Sequence, residues 1–77
     1  SNEFPISAFP NPTSSIITIQ SMEFENLDMD AYNSIGEVVL TKTLRLEEED
    51  ISIEHFPKGF YIVKIKDLEG SLKIIEQ

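Results

Sequence analysis

One stretch decides the fold of this chain: residues 56–65, which run Phe56-Pro57-Lys58-Gly59-Phe60-Tyr61-Ile62-Val63-Lys64-Ile65. A proline and a glycine two positions apart favour a turn. The residues that follow alternate along the chain, with Tyr61, Val63 and Ile65 on one side. This period of two predicts a β-strand with one face packed against a core and the other face in water.

Similar signals lie on the N-terminal side of this stretch. Residues 32–39, Tyr32-Asn33-Ser34-Ile35-Gly36-Glu37-Val38-Val39, predict a hairpin, with Gly36 adopting a positive φ angle. Pro10 and Pro12 each lack a backbone N–H, so they end any strand at that point. Asp67 to Gly70 predicts the turn between the last two strands.

Alternation and turns together predict seven short strands. They cover Phe4–Phe9, Ile16–Gln20, Asn26–Tyr32, Glu37–Thr43, Ile51–Glu54, Phe60–Lys66 and Ser71–Glu76. Seven strands with breaks about every ten residues are typical of an all-β, immunoglobulin-like antiparallel sandwich. The tryptophan and the cysteine pair of antibody domains are absent.

Composition limits the function. The chain has 77 residues, enough for one domain, and no cysteine, so its fold depends on apolar alternation and turns. Fourteen acidic against six basic residues give a formal charge of −8, which disfavours nucleic acid and anionic membranes as partners. We interpret the acidic run Glu47–Asp50 as a solvated loop. No apolar run approaches the roughly 20 residues that span a bilayer.

The residues offer little support for catalysis. His55 is the only histidine, and its place just before Pro57 favours a solvent-facing polar residue. Nucleophile-elbow, P-loop and dinucleotide-binding sequences are absent. We therefore predict no enzyme, no catalytic residue and no cofactor.

Two kinds of binding site remain open. Asp28 and Asp30 share one side of a predicted strand, and Asp67 with Glu69 lies in a loop, so a calcium site between loops is conceivable, although the spacing matches no EF-hand. Strand alternation also places acids on a wet face by default, and we predict no metal site.

Tyrosines are the second possibility. Tyr32 and Tyr61 could stack on sugars, but tyrosines in strands are more often half-buried core residues with a solvated hydroxyl.

With these residues considered together, the chain resembles the C-terminal sorting domain of the type IX (Por) secretion system, in its type A form. The resemblance covers nearly all of residues 9–77. It is carried by Pro10-Asn11-Pro12-Thr13, Ile17-Thr18-Ile19, residues 32–39, residues 56–65 and Lys73-Ile74-Ile75. The order and spacing of these segments are more specific than any one of them.

Three positions depart from the family pattern. Phe56 stands where the family usually has leucine, and Asn33 where aspartate is frequent. Glu76 stands where the family often has a second basic residue, which leaves Lys73 as the cation nearest the end.

The resemblance implies a non-catalytic signal at the end of a larger cargo protein. The cargo would pass through the periplasm and the outer-membrane translocon to the cell surface or the medium of a Bacteroidetes-type bacterium. Shuttle proteins, and a sortase-like signal peptidase that removes the domain, are the implied partners. The framework of the motif would be Pro10, Asn11, Pro12, Gly36, Pro57, Gly59 and Tyr61, and the terminal recognition strand Lys73, Ile74 and Ile75.

The domain boundaries follow from this interpretation. Residues 1–3 are interpreted as a linker remnant or cloning scar, and residues 4–77 as the sorting domain. A small adhesion module that binds carbohydrate or calcium is the alternative, and an inert spacer domain is a third hypothesis.

Overall fold

The protein is a sandwich of two antiparallel sheets in the computed structural model, which describes residues 5–10, 15–21 and 26–77. Its strands are β1 (Ile6–Phe9), β2 (Ile16–Ser21), β3 (Leu27–Tyr32), β4 (Val38–Leu44), β5 (Glu48–Ser52), β6 (Gly59–Ile65) and β7 (Leu72–Glu76). The first sheet has the order β1-β2-β5 and the second has the order β4-β3-β6-β7. No helix among these residues could cross a bilayer.

This arrangement confirms the predicted immunoglobulin-like sandwich. The chain alternates between the two sheets, so that β2, β3, β5 and β6 each pack inner side chains across the interface, as in that fold. β4 lies next to β3, on the sheet that also holds β6 and β7. The part of the first predicted strand at Phe4 lies outside the described residues.

The core follows the predicted alternation. Ile17 and Ile19 of β2 and Val63 of β6 are the most deeply buried aliphatic side chains, together with Met29 of β3. The whole buried cluster comprises Ile6, Ile17, Ile19, Met29, Ala31, Leu44, Ile51, Ile53, Val63, Ile65 and Ile74. A core void of about 20 Å³ has room for one water molecule at most, so the interior is not a ligand site.

The acidic run is where the prediction was wrong. Glu48, Glu49 and Asp50 belong to β5, where they pair in register with Gln20, Ile19 and Thr18 of β2. The strand begins three residues earlier than the predicted Ile51, because the backbone groups of β2 pair with these residues as well. Charged side chains are well tolerated on an edge strand, so the low strand propensity of the acids was overridden.

The connection from β5 to β6 also differs in detail. A turn closed by a hydrogen bond of 3.0 Å from Phe56 N to Ile53 O comes before the predicted turn at Pro57 and Gly59. Gly59 is already the first residue of β6, with φ at +142°. The predicted strand Ile51–Glu54 ends two residues too late, since β5 ends at Ser52, although Ile53 stays buried.

Candidate recognition surface

The β3–β4 hairpin is fixed by Asn33. Its side-chain Oδ1 accepts hydrogen bonds from the backbone N–H groups of Ile35 (3.1 Å) and Glu37 (2.9 Å), which forms an Asx turn. Gly36 N donates to Asn33 O at 3.0 Å, and Gly36 has φ at +88°. The predicted need for glycine at this position is therefore met by a left-handed backbone.

Tyr61 fastens the start of β6 to the turn before it. The Tyr61 hydroxyl donates a hydrogen bond to Pro57 O, four residues upstream. The Tyr61 ring lies 5.4 Å from the Phe56 ring, centroid to centroid, at a tilt of 45°. Immunoglobulin-like domains use the same device, a tyrosine corner, at the start of the equivalent strand. Pro57, Gly59 and Tyr61 are thus brought together in one small unit.

The environment of Tyr61 favours its neutral form. Burial raises the pKa of Tyr61, and the negative charge of Glu76 raises it further. Because the hydroxyl is held as a donor, the phenol is a structural group and not a sugar-stacking platform. The prediction that Tyr61 belongs to the core is confirmed, but the predicted solvated hydroxyl is wrong, since the hydroxyl is bonded to Pro57 O.

The terminal strand β7 lies at the edge of its sheet, paired only with β6 among the strands of that sheet. Ile74 points inward and is 6% exposed, whereas Ile75 points outward and is 40% exposed. Lys73 also points outward, and its Nζ lies 4.8 Å from the centroid of the Phe60 ring, in cation–π contact. The three predicted recognition residues therefore divide into one anchor and two outward groups.

Glu76 is a buried acid near the end of the chain. It pairs in register with Gly59 and is only 4% exposed, since its position two residues after Ile74 directs it inward. Within the described part of the chain its Oε2 atom is buried and has no hydrogen-bond partner. A buried carboxylate oxygen without a partner costs stability, so Glu76 is expected to weaken the fold where Ile74 stabilises it.

The outer face of the four-stranded sheet has two ends of different character. Near the hairpin, one cross-strand row runs Val38, Tyr32, Ile62 and Lys73, and the next holds Phe60 beside Ile75. We call Val38, Tyr32, Ile62, Phe60 and Ile75 the Phe60 patch.

The far end of the same face is polar. Asp30 and Asp28 accept hydrogen bonds of 3.0 Å from the hydroxyls of Thr41 and Thr43 on β4. Lys64 stands opposite Asp30 in the register between β3 and β6. The face is therefore apolar at the hairpin end, where Lys73 lies over Phe60, and polar at the other, where acids, hydroxyls and Lys64 lie together.

The opposite sandwich edge is closed by Glu49. Its Oε2 accepts from the backbone N–H groups of Arg45 (2.6 Å) and Leu46 (3.0 Å), and its Oε1 lies 3.3 Å from Lys42 Nζ on the other sheet. These two backbone hydrogen bonds, and after them the interaction with Lys42, lower the pKa of Glu49. The Glu49 side chain thus binds the backbone of the β4–β5 loop and links the two sheets.

The Pro-Asn-Pro segment is only partly described. Pro10 follows β1, which ends at Phe9 as predicted. Asn11 and Pro12 lie outside the described residues, so their predicted roles stay predictions.

The described residues gather no cluster of metal ligands, and His55, the histidine of the chain, is exposed. The side chain of His55 is 91% exposed, and its charged neighbour is Glu54, at 3.8 Å. No group of three or more potential metal ligands is present in the described ranges. Asp67, one of the candidate loop acids, lies in the β6–β7 turn, where its backbone has a left-handed φ of +66°.

Sequence reasoning missed the two acids that point into the sandwich. Glu49 lies two residues before Ile51, and Glu76 two residues after Ile74, so the same alternation that located the core also marked both acids as inward-facing. Their charge masked this signal.

Comparison with known proteins agrees with the fold and the motif units. Searches of curated proteins and of solved structures gave no match. The family model for the secretion system C-terminal sorting domain, the domain of type IX secretion, matches residues 7–76. That range includes all the described framework residues and the terminal strand. The chain therefore belongs to the family of secretion system C-terminal sorting domains.

Proposed function

We propose that this chain is a non-catalytic signal, recognised as a folded domain, that directs a larger cargo protein through the type IX outer-membrane translocon. The observation that carries the proposal is the ordered β7 strand. Ile74 anchors it in the core while Lys73 and Ile75 face outward at a sheet edge. A terminal strand in this position can be bound by a receptor without unfolding of the domain.

The framework residues have a structural role in this proposal. Gly36 sets the hairpin, and Pro57, Gly59 and Tyr61 set the corner from which β6 begins. Since β6 is the only strand that pairs with β7 in the sheet, the corner determines where the terminal strand lies. The machinery would therefore recognise Lys73 and Ile75 at positions fixed by residues far from them in sequence.

The proposed route passes from the periplasm to the cell surface or the medium. Cargo would precede the domain in the same polypeptide. Shuttle proteins would bring it to and from the translocon, and a sortase-like peptidase would remove the domain after export.

A reporter fusion tests the proposal. We would fuse a periplasmic reporter, directed there by a signal peptide, to residues 1–77 and express it in a type IX-competent bacterium and in a strain without the translocon. Export in the first strain and periplasmic retention in the second are expected. Retention in both, while a family member of proven function exports the same reporter, would contradict the proposal.

Two variants ask whether the folded state is what the machinery binds. Val63→Asp places a charge in the fully buried centre of β6 and should abolish both folding and export. Ser52→Asp places the same charge on the exposed face of β5 and should leave both intact. Export of unfolded Val63→Asp at the normal rate would show that the sequence is recognised without its fold.

A further inference from the structure

We propose that the Phe60 patch is a docking site for a partner protein that carries a bulky apolar side chain next to carboxylates. This inference rests on the proposed function and extends its contact surface from β7, through Ile75, across the outer face of the sheet. The patch lies on the outer face of the sheet, whereas pairing at the edge would use the backbone of β7.

The first support is the shape of this surface. Two clefts meet at Phe60: one of about 290 Å³ between the hairpin and the Pro57–Tyr61 segment, and one of about 440 Å³ over Tyr32 and Ile62. Asn33, Ser34 and Phe60 belong to both clefts, so Phe60 forms the ridge between them. A ridge with a concave surface on each side suits the insertion of large side chains.

The second support is exposure. Phe60 and Ile75 are each 40% exposed, and Val38 is 53% exposed. They join Tyr32 and Ile62 in one continuous cross-strand cluster. Scattered exposed apolar residues are ordinary, but a contiguous cluster with a polar surround indicates an interaction surface. Phe60 and Tyr32 are also of the residue types enriched at the centres of interfaces.

The third support is charge, which identifies the occupant. The chain as a whole has charge −8 and only six basic residues, yet Lys73 borders this patch and Lys58 lines the cleft beside the hairpin. Lys64 lines the second cleft, on the side where it stands opposite Asp30. The acids of the same face, Asp28 and Asp30, lie toward its far end and accept hydrogen bonds from threonine hydroxyls. A partner with carboxylates at the hairpin end would meet attraction there, in a protein whose overall field repels acids.

The test compares matched variants in the reporter fusion. Phe60→Ser and the charge reversal Lys73→Glu change the patch without touching the core. Ile16→Ser removes an exposed isoleucine from β2, on the other sheet, and Arg45→Glu reverses a charge in the exposed β4–β5 loop. Circular dichroism melts of the isolated domain would confirm that all four variants fold.

We expect the rate of export to fall at least tenfold for Phe60→Ser and for Lys73→Glu, and to change less than twofold for Ile16→Ser and Arg45→Glu. A photo-cross-linking amino acid at position 60 should join a partner peptide that contains Asp or Glu beside an apolar residue. Both results together would establish the surface and the chemistry of its occupant.

Other outcomes would overturn the inference in distinguishable ways. If the wild-type fusion is exported and Phe60→Ser keeps pace with it, docking at the patch is refuted while the sorting function stands. If the wild-type fusion is retained, both proposals fail. If sedimentation shows a dimer that Phe60→Ser converts to a monomer, the occupant is a second copy of this chain and not a heterologous partner.

Discussion

Tyr61→Phe is the change that most directly tests how the β6 corner is built. It removes one oxygen and keeps the ring, so the contact with Phe56 and the filling of the core are preserved. The variant loses the hydrogen bond to Pro57 O and leaves that carbonyl without its protein donor.

The expected cost is about 1–2 kcal/mol of unfolding free energy. A typical hydrogen bond contributes roughly 0.5–1.5 kcal/mol net, and an acceptor left partly buried without its donor adds to the loss. For a domain of this size, about 1 kcal/mol lowers Tm by roughly 4–8 °C. Total stabilities of roughly 0.05–0.15 kcal/mol per residue make this a large fraction of the whole.

Urea unfolding at pH 7 and at higher pH would measure the effect. Because the pKa of Tyr61 is raised above its ordinary value of 10.0, the contribution of the neutral phenol is complete below pH 10. It is lost as pH rises through the folded-state pKa. The difference between wild type and Tyr61→Phe should therefore be constant from pH 7 to pH 9 and shrink above pH 10.

Tyr32→Phe provides the matched control, since it removes the same oxygen from a half-buried tyrosine on the outer face. We expect it to change stability by less than about 0.5 kcal/mol, as surface substitutions usually do. Equal costs for the two variants, or a gap that does not change with pH, would refute the role assigned to the corner.

Four further outcomes follow from the fold. Glu49→Gln should lose about 1–2 kcal/mol at pH 7 in urea unfolding. Because the folded-state pKa of Glu49 lies below its ordinary value of 4.5, the stability that ionised Glu49 adds should disappear as pH falls below 4.5. This loss should occur in the wild type and not in Glu49→Gln. Glu76→Met should raise stability by about 1 kcal/mol, since it replaces a buried, unpartnered carboxylate oxygen with an apolar group; a lower Tm would contradict this account. Val63→Ala removes two buried methyl groups and should cost about 2–3 kcal/mol by denaturant titration. Gly36→Ala should cost about 1 kcal/mol from its φ of +88° alone, because the space around a new Cβ is open, and a crystal structure should show the hairpin unchanged.

Most of the fold could be predicted from sequence because alternation and turn chemistry agree along most of the chain. Ile17 and Ile19, Tyr61 and Val63 are buried where a period of two places them. Gly36 could be assigned a positive φ because a short hairpin loop needs one. Agreement of this kind between local and global preferences is what makes a short sequence interpretable.

Apart from the inward-facing acids, which their charge masked, the errors arise because pairing partners are invisible in a single segment. The acids of β5 resemble a solvated loop until β2 is placed beside them, because local propensity gives no information about a neighbouring strand. The Phe60 patch was hidden for the same reason. Val38 and Ile75 are 37 positions apart in sequence and become neighbours of one cluster only through the order β4-β3-β6-β7.

The bridge from Lys42 to Glu49 gives the two long sides of the sandwich unequal sensitivity to solution conditions. Along the side formed by β4 and β5, attachment between the sheets includes the Lys42–Glu49 ion pair, which added salt screens and acid neutralises. Along the side formed by β1 and β7, which are in contact, Ile6 and Ile74 both belong to the buried apolar cluster, and burial of apolar surface depends on neither. Because the pKa of Glu49 is lowered, only acid below pH 4.5 should loosen the β4–β5 side first. The strand β7, which lies on the other side, should then stay packed after β4 and β5 have begun to separate.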